Sequence, residues 1–142
     1  MVYRFLLVAV GPVDADDCFQ ETFLAALRAY PRLRDGEHLD RWVLRIASRK
    51  AIDSHRAARR RPVPSQDAAV LADGPAHDPI DEGKDALWKA VRSLPPRQRV
   101  AVVHRHVLDR PYSEIGELMD CSEETARANV YQGLKRLREV MA

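Results

Sequence analysis

Glycine is scarce, six in 142 residues, and no stretch alternates apolar and polar residues for long, so strands and hairpins have little support. No apolar run approaches the roughly 18–20 residues that span a bilayer. The opening MVYRFLLVAV is a short apolar run with no small-residue cleavage site after it, which argues against a secretory leader. A cytoplasmic protein with no membrane span is the expectation. Only two cysteines occur, Cys18 and Cys121, too far apart in sequence for a metal-ligand spacing. In a reducing compartment they read as small buried hydrophobes. No Gly-rich phosphate loop, nucleophile elbow or paired-carboxylate pocket is present, and His104 and His106 stand about 200° apart on a helix, unable to share a metal from one face. An enzyme is therefore disfavoured, and no cofactor is called for.

What is present is helix-forming and strongly charged. Apolar residues make up 46% of the chain, enough for a packed core, so an all-α fold is expected. The net charge of +2 hides an uneven layout. Residues 1–27 sum to −3, residues 28–61 to +7, residues 62–83 to −5 and residues 84–142 to +3. Such alternation suits several different partners along one chain. The segment PVPSQDAAVLADGPAHDPI, with four prolines among its acids, blocks helix propagation and reads as a flexible acidic linker. It divides the chain into 1–61, a linker over 62–83, and 84–142.

In the first part, Gly11-Pro12 separates a short apolar helix from one running to about Ala29. Phe19, Phe23, Ala26, Leu27 and Tyr30 offer an apolar face to that second helix, with Asp17, Gln20, Glu21, Leu24 and Arg28 opposite. After a loop from Pro31 to about His38, a long helix spans roughly Leu39 to Arg60, with Leu39, Trp42, Val43, Ile46 and Ala47 inward. The last part reads as four helices, over about 82–92, 96–108, 112–119 and 122–140, with Ser113 and Ser122 as caps for the final two.

Three constellations point to function. In YSEIGELMDCSEETARANVYQGLKRLRE, Ile115 and Leu118 face inward before a turn of about three residues. Ala126, Val130, Leu134 and Leu137 then continue the apolar face. This is helix-turn-helix spacing, whose second helix lies in a DNA major groove. Glu124, Arg127, Ala128 and Tyr131 occupy the outer face; Arg127 suits a guanine or a phosphate, and Thr125 and Lys135 suit phosphates. An ordinary helical hairpin with solvated charges is the plain alternative. Along the long helix, Arg41, Arg45 and Arg49 recur every four residues and Arg56 and Arg60 nearly extend the line, a footprint for a phosphate backbone or simply a solvated face. In DADDCFQETF, exposed Asp17, Gln20 and Glu21 beside Leu24 form an acidic patch with an apolar centre, suited to a basic protein partner.

Together these stretches resemble the extracytoplasmic-function sigma factors of bacterial RNA polymerase. DADDCFQETFLAAL is similar to region 2.2 of that family, LDRWVLRIASRKAIDSHRAARRR to regions 2.3 and 2.4, and LPPRQRVAVVHRHVLDRPYSEIGELMDCSEETARANVYQGLKRLR to region 4. The resemblance implies two small helical domains, the second containing the helix-turn-helix, and a promoter-specificity subunit rather than an enzyme. It implies that Asp17, Gln20, Glu21 and Leu24 bind core RNA polymerase. Arg45, Arg49, Lys50, Asp53 and Arg56, with the loop Pro31 to Asp40, match the part that opens and reads minus-ten promoter DNA. Glu124, Thr125, Arg127, Ala128 and Tyr131 match the helix that reads minus-thirty-five DNA. An anti-sigma factor is a further partner of such proteins. A plain helix-turn-helix repressor explains only the second half of the chain, and a decoy that sequesters an anti-sigma factor remains an alternative.

Overall fold

The computed structural model describes residues 1–33, 38–60 and 82–141. These form helices with no strand among them: α1 (Val2–Val10), α2 (Pro12–Ala29), α3 (Leu39–Arg60), α4 (Glu82–Ser93), α5 (Pro96–Val102), α6 (Tyr112–Leu118) and α7 (Glu123–Met141). A single 3-10 turn, Tyr30–Arg32, follows α2, and α5 widens into a π-helical turn over Val103–Val107. The acidic Pro-rich segment lies, apart from the first residues of α4, outside the described residues, as does the loop over 34–37.

Helix boundaries follow local chemistry. Gly11, at φ 87°, turns the chain between α1 and α2. A side chain there would be strained by that φ and would press on the Arg92 side chain. Pro12 opens α2 at the position where its missing N–H costs nothing. Ser122 caps α7, its Oγ accepting the Thr125 N–H at 3.0 Å. Ser113 does not cap α6: that helix starts one residue earlier, after Pro111, and Ser113 sits exposed in its first turn.

The face that α2 buries is not the aromatic one. Ala15, Cys18, Thr22 and Ala26 are buried, whereas Phe23, Leu27 and Tyr30 are 42%, 71% and 60% exposed. The buried four are small and recur at i, i+3, i+7 and i+11, which lets α1 and α3 approach α2 closely. Thr22 enters this seam at no polar cost because its Oγ1 donates to Cys18 O at 2.6 Å. Only Phe19, half-buried, keeps its place from the aromatic set, stacked edge-on against Tyr3 with centroids 5.5 Å apart. On α3, Leu39 likewise lies outside, 52% exposed. The inward face is Val43, Leu44, Ala47, Ser48, Ala51 and Ile52.

One core joins the two halves of the chain. Phe5, Leu6 and Ala9 of α1 and Leu44, Ala47 and Ala51 of α3 cluster with Ala90, Leu94, Val100, Val103, Ile115 and Val130. Besides Thr22 and Ser48, two further polar residues, Arg99 and His104, are buried. Arg99 donates through Nη1 to Ala9 O at 2.8 Å, at the C-terminal end of α1 where carbonyls lack helical partners, and through Nη2 to Leu94 O at 2.9 Å. His104 stacks on Phe5 with centroids 4.6 Å apart and rings nearly parallel, and its Nε2 lies 2.7 Å from Ser48 Oγ. The Ser48 hydroxyl donates to Leu44 O at 2.8 Å, which places the imidazole proton on Nε2, pointing at Ser48. Nδ1 is then a bare acceptor, buried with no hydrogen-bond partner among the described residues.

Burial, aided by the nearby Arg110 charge, lowers the His104 pKa to about 3. In the unfolded chain an imidazole titrates near 6.5. As pH falls through that window the unfolded state binds a proton that the folded state refuses, so stability drops. His104→Phe keeps a ring against Phe5 and removes the titration. The stability difference between wild type and this variant should therefore shrink by about 2 kcal/mol between about pH 7 and pH 5 in urea melts. A pH-independent difference would show that the imidazole is protonated inside the fold.

Candidate nucleic-acid interface

The α6–α7 pair owes its geometry to one tight turn. Met119 N–H donates to Ile115 O at 2.9 Å and Cys121 N–H to Gly116 O at 2.9 Å, closing the end of α6. Asp120 adopts φ 54°, a left-handed conformation that Asp tolerates better than most residues. The chain folds back so tightly that a Cβ on Gly116 would stand 2.8 Å from Cys121 O. Ile115, Leu118, Ala126, Val130 and Leu137 are buried, as the spacing predicts. On the outer face of α7, Glu124, Thr125, Arg127, Ala128, Tyr131 and Lys135 are all exposed, Tyr131 at 62%. Thr125 Oγ1 accepts a hydrogen bond from Ser122 Oγ at 2.8 Å, so it belongs to the cap as well as to the surface.

Arg127 is held in place by its neighbours. Its Cζ lies 4.9 Å from the centroid of the Tyr112 ring, which Arg105 also contacts at 4.3 Å, and its Nη2 lies 3.4 Å from Glu123. Tyr112 thus anchors two guanidinium groups beside the helix that carries the outer face. Sequence reasoning gave it no role, since cation–π contact between separate helices has no periodic signature.

On the first half, Asp17, Gln20, Glu21 and Leu24 share the exposed side of α2. The outward Phe23, Leu27 and Tyr30 enlarge that side, so the acids border a wider apolar surface than their own pattern suggested. A contiguous exposed apolar surface of this kind marks a contact site more often than chance.

The basic stripe of α3 has partners that its own sequence did not indicate. Arg45 and Arg49 both donate to the Asp120 carboxylate, Arg45 through Nε at 2.9 Å and also through Nη2, Arg49 through Nη2. Arg41 Nε lies 3.4 Å from Glu114 and its Nη1 3.9 Å from Glu117. Glu114 also accepts from Arg110 at 3.0 Å. Burial by itself pushes the Asp120 carboxyl up, but hydrogen bonds from Arg49 and Arg45 outweigh it and hold the group below its ordinary pKa. Lys50 is half-buried and Asp53 exposed. Beside them a cleft of about 90 Å³ is lined by Arg49, Ile52, Asp53, Arg97, Leu118, Met119 and Asp120, well short of the roughly 300–1,000 Å³ typical of ligand pockets. The Arg56 side chain lies outside the described residues.

Among the described residues no group of three or more His, Cys, Asp or Glu gathers to hold a metal ion, and no helix is long and apolar enough to cross a membrane. What the surfaces offer is charge and hydrogen bonding.

Comparisons with known proteins agree with this layout. Residues 1–61 match the family described as Sigma-70 region 2, and residues 84–137 match Sigma-70, region 4. The RNA polymerase sigma factor CarQ of Myxococcus xanthus is 31% identical over 129 residues, 89% of this chain and 74% of that protein. The ECF RNA polymerase sigma factor SigE of Mycolicibacterium smegmatis is 31% identical over 136 residues, with this chain spanning about half (52%) of its length. Among solved structures, the sigma factor RpoE from Bartonella quintana, in complex with the anti-sigma factor NepR, shares the fold with a TM-score of 0.73 at 20% identity, over 99% of this chain and 89% of that one.

Because the turn leaves no room for a methyl group at position 116, Gly116→Ala should cost about 1–3 kcal/mol in urea unfolding and splay α6 from α7. Unchanged stability would mean that the turn relaxes without losing its hydrogen bonds.

Proposed function

The chain belongs to the sigma-70 family of RNA polymerase subunits, in its extracytoplasmic-function branch, and we propose that its three exposed surfaces divide promoter recognition among named residues. As a sigma factor it is a promoter-specificity subunit, directing core RNA polymerase to promoter DNA at transcription initiation. The finer assignment is as follows. Residues 1–61 act as the region 2-like domain, 62–83 as a linker and 84–142 as the region 4-like domain. Asp17, Gln20, Glu21 and Leu24 dock on the polymerase, with acids around an apolar centre meeting a basic partner surface. Arg45, Arg49, Lys50, Asp53 and Arg56 engage the minus-ten element as it opens. Glu124, Thr125, Arg127, Ala128, Tyr131 and Lys135 engage the minus-thirty-five duplex. The chain performs no covalent chemistry itself and works where the polymerase is, in the cytoplasm. That a protein of this fold was solved with an anti-sigma factor supports such a factor as a further partner.

The observation that carries the DNA reading is the split of α7. Ala126, Val130 and Leu137 are buried on one side, while Glu124, Arg127, Ala128 and Tyr131 are exposed on the other, directly after a tight turn. A helix presented in this way enters a major groove with its first turns toward the bases. Arg127, steadied by Tyr112, stands where a guanine edge is reached; Lys135, two turns further, stands where phosphates are.

Two experiments separate these roles. Tested on a library of minus-thirty-five variants, Arg127→Ala should lose about 1–3 kcal/mol and relax preference at one position, whereas Lys135→Ala should weaken all promoters uniformly. A uniform loss for both would make Arg127 an electrostatic anchor only. For the polymerase surface, Asp17→Lys with Glu21→Lys should abolish binding to core enzyme while circular dichroism shows the helices intact. Unchanged affinity would remove the docking role from α2.

A further inference from the structure

Tyr112 and Arg105 belong to none of the three surfaces assigned above, yet both are joined to Arg127. Tyr112 is the first residue of α6, and the Arg127 guanidinium carbon lies 4.9 Å from its ring centroid, that of Arg105 4.3 Å. Arg105 is itself tied down. It stands in the π-helical turn Val103–Val107, and its Nη1 donates to Arg110 O at 3.2 Å. Tyr112 is half-buried and follows Pro111, whose ring-locked φ of −70° sets the backbone where α6 begins. The Arg127 side chain is 58% exposed, so it is tethered at the ring and still open to a partner. We propose that Tyr112 is the positioning residue of Arg127: its ring, fixed by Arg105, holds the guanidinium in one arrangement and so sets base preference in minus-thirty-five DNA without touching a base. The proposal rests on the reading of Arg127 as a base contact and concerns the specificity of that site.

An unrestrained arginine on a helix surface reaches a base edge, a neighbouring phosphate or water with similar ease. Fixing it on DNA costs rotamer entropy, and a tether met before DNA arrives lowers that cost. Two tethers act on Arg127. Glu123, four residues earlier on α7, lies 3.4 Å from Nη2, but both side chains are more than half exposed, so water and salt loosen this pair. The tyrosine ring is the firmer tether, because it sits on another helix and its own place is set by Pro111 and Arg105. The tight turn carries that fixed point across to α7, since Cys121 N–H donates to Gly116 O and no room is left for a side chain at position 116. Both cation contacts are made with the ring rather than with the hydroxyl. A guanidinium held in one arrangement pairs bidentately with one guanine, whereas a free one offsets a wrong base by turning to a phosphate. The ring therefore acts on discrimination between bases more than on affinity.

The test uses the full chain with core RNA polymerase and the library of minus-thirty-five variants. It reads the ratio of affinities for the preferred base and its replacements at the position where Arg127→Ala relaxes preference. A ratio taken within one preparation is independent of how much of the protein is folded. Tyr112→Leu keeps an apolar side chain at this half-buried position and removes the ring. It should lower the ratio about two- to fivefold, the worth of one exposed cation–π contact. Tyr112→Phe keeps the ring and should retain the parent ratio, even where loss of the hydroxyl weakens all promoters alike. With Arg127→Ala already present, Tyr112→Leu should leave the ratio unchanged, because the two residues act as one unit. An unchanged ratio in Tyr112→Leu overturns the proposal, whatever happens to overall affinity. A raised ratio also overturns it, since the ring would then hold Arg127 away from the base, and so does an equal fall in Tyr112→Phe. The two readings fail separately. If Arg127→Ala leaves every base preference intact, the base-reading role of Arg127 falls and the proposal with it. If Arg127→Ala relaxes preference and Tyr112→Leu does not, that role stands and the proposal alone falls.

Discussion

The period of one helix ties the buried seam of this molecule to its most basic surface. On α3, Leu44 and Ser48 are fully buried, Ser48 against His104 of the second half, and the next residue after each, Arg45 and Arg49, is exposed. Consecutive residues on a helix differ by about 100°, so the cationic stripe necessarily runs along the border of the seam. Whatever packs on the seam must present something to the stripe. The second half presents Glu114, Glu117 and Asp120. A neutral or basic edge there would leave the arginines facing like charge or nothing.

The seam itself is more specific than an apolar contact. Phe5, Ser48 and His104 come from three helices and meet in a stacked, hydrogen-bonded arrangement, and Arg99 reaches from α5 to the end of α1. Buried polar groups of this kind add little net stability but penalise every misaligned packing, because a shifted register leaves them unpaired. The packing of the two halves is thus defined by residues far apart in sequence, and the exposed ion pairs at its border add little to it.

Much of the fold was legible in the sequence. Among the described residues, seven helices, their punctuation at Gly11-Pro12 and Pro95-Pro96, the Ser122 cap and the inward Ile115, Leu118, Ala126 and Val130 all follow from period and capping chemistry. The misreading of α2 has a physical cause. Two stripes on that helix compete, and hydrophobic size favours Phe23, Leu27 and Tyr30, whereas close helix packing selects Ala15, Cys18, Thr22 and Ala26. Thr22 in particular counts as polar by composition and is buried through its bond to Cys18 O. The acidic partners of the α3 arginines were invisible for another reason. Asp120 and Arg45 are separated by 75 residues, and pairing at that range leaves no local pattern. The same holds for Ser48 with His104 and for Tyr112 with Arg127.

The central claim is that one buried core, with the Ser48–His104 contact at its seam, holds the two halves of the chain in a single register. The most direct measurement is the distance between the halves in solution. Spin labels at exposed Leu27 on α2 and Gln132 on α7, with Cys18 and Cys121 replaced, report it by pulsed electron resonance. The account predicts one narrow distribution for the free chain, centred on the separation that the shared core imposes. A broad or multimodal distribution would contradict it, because the halves would then not share one core.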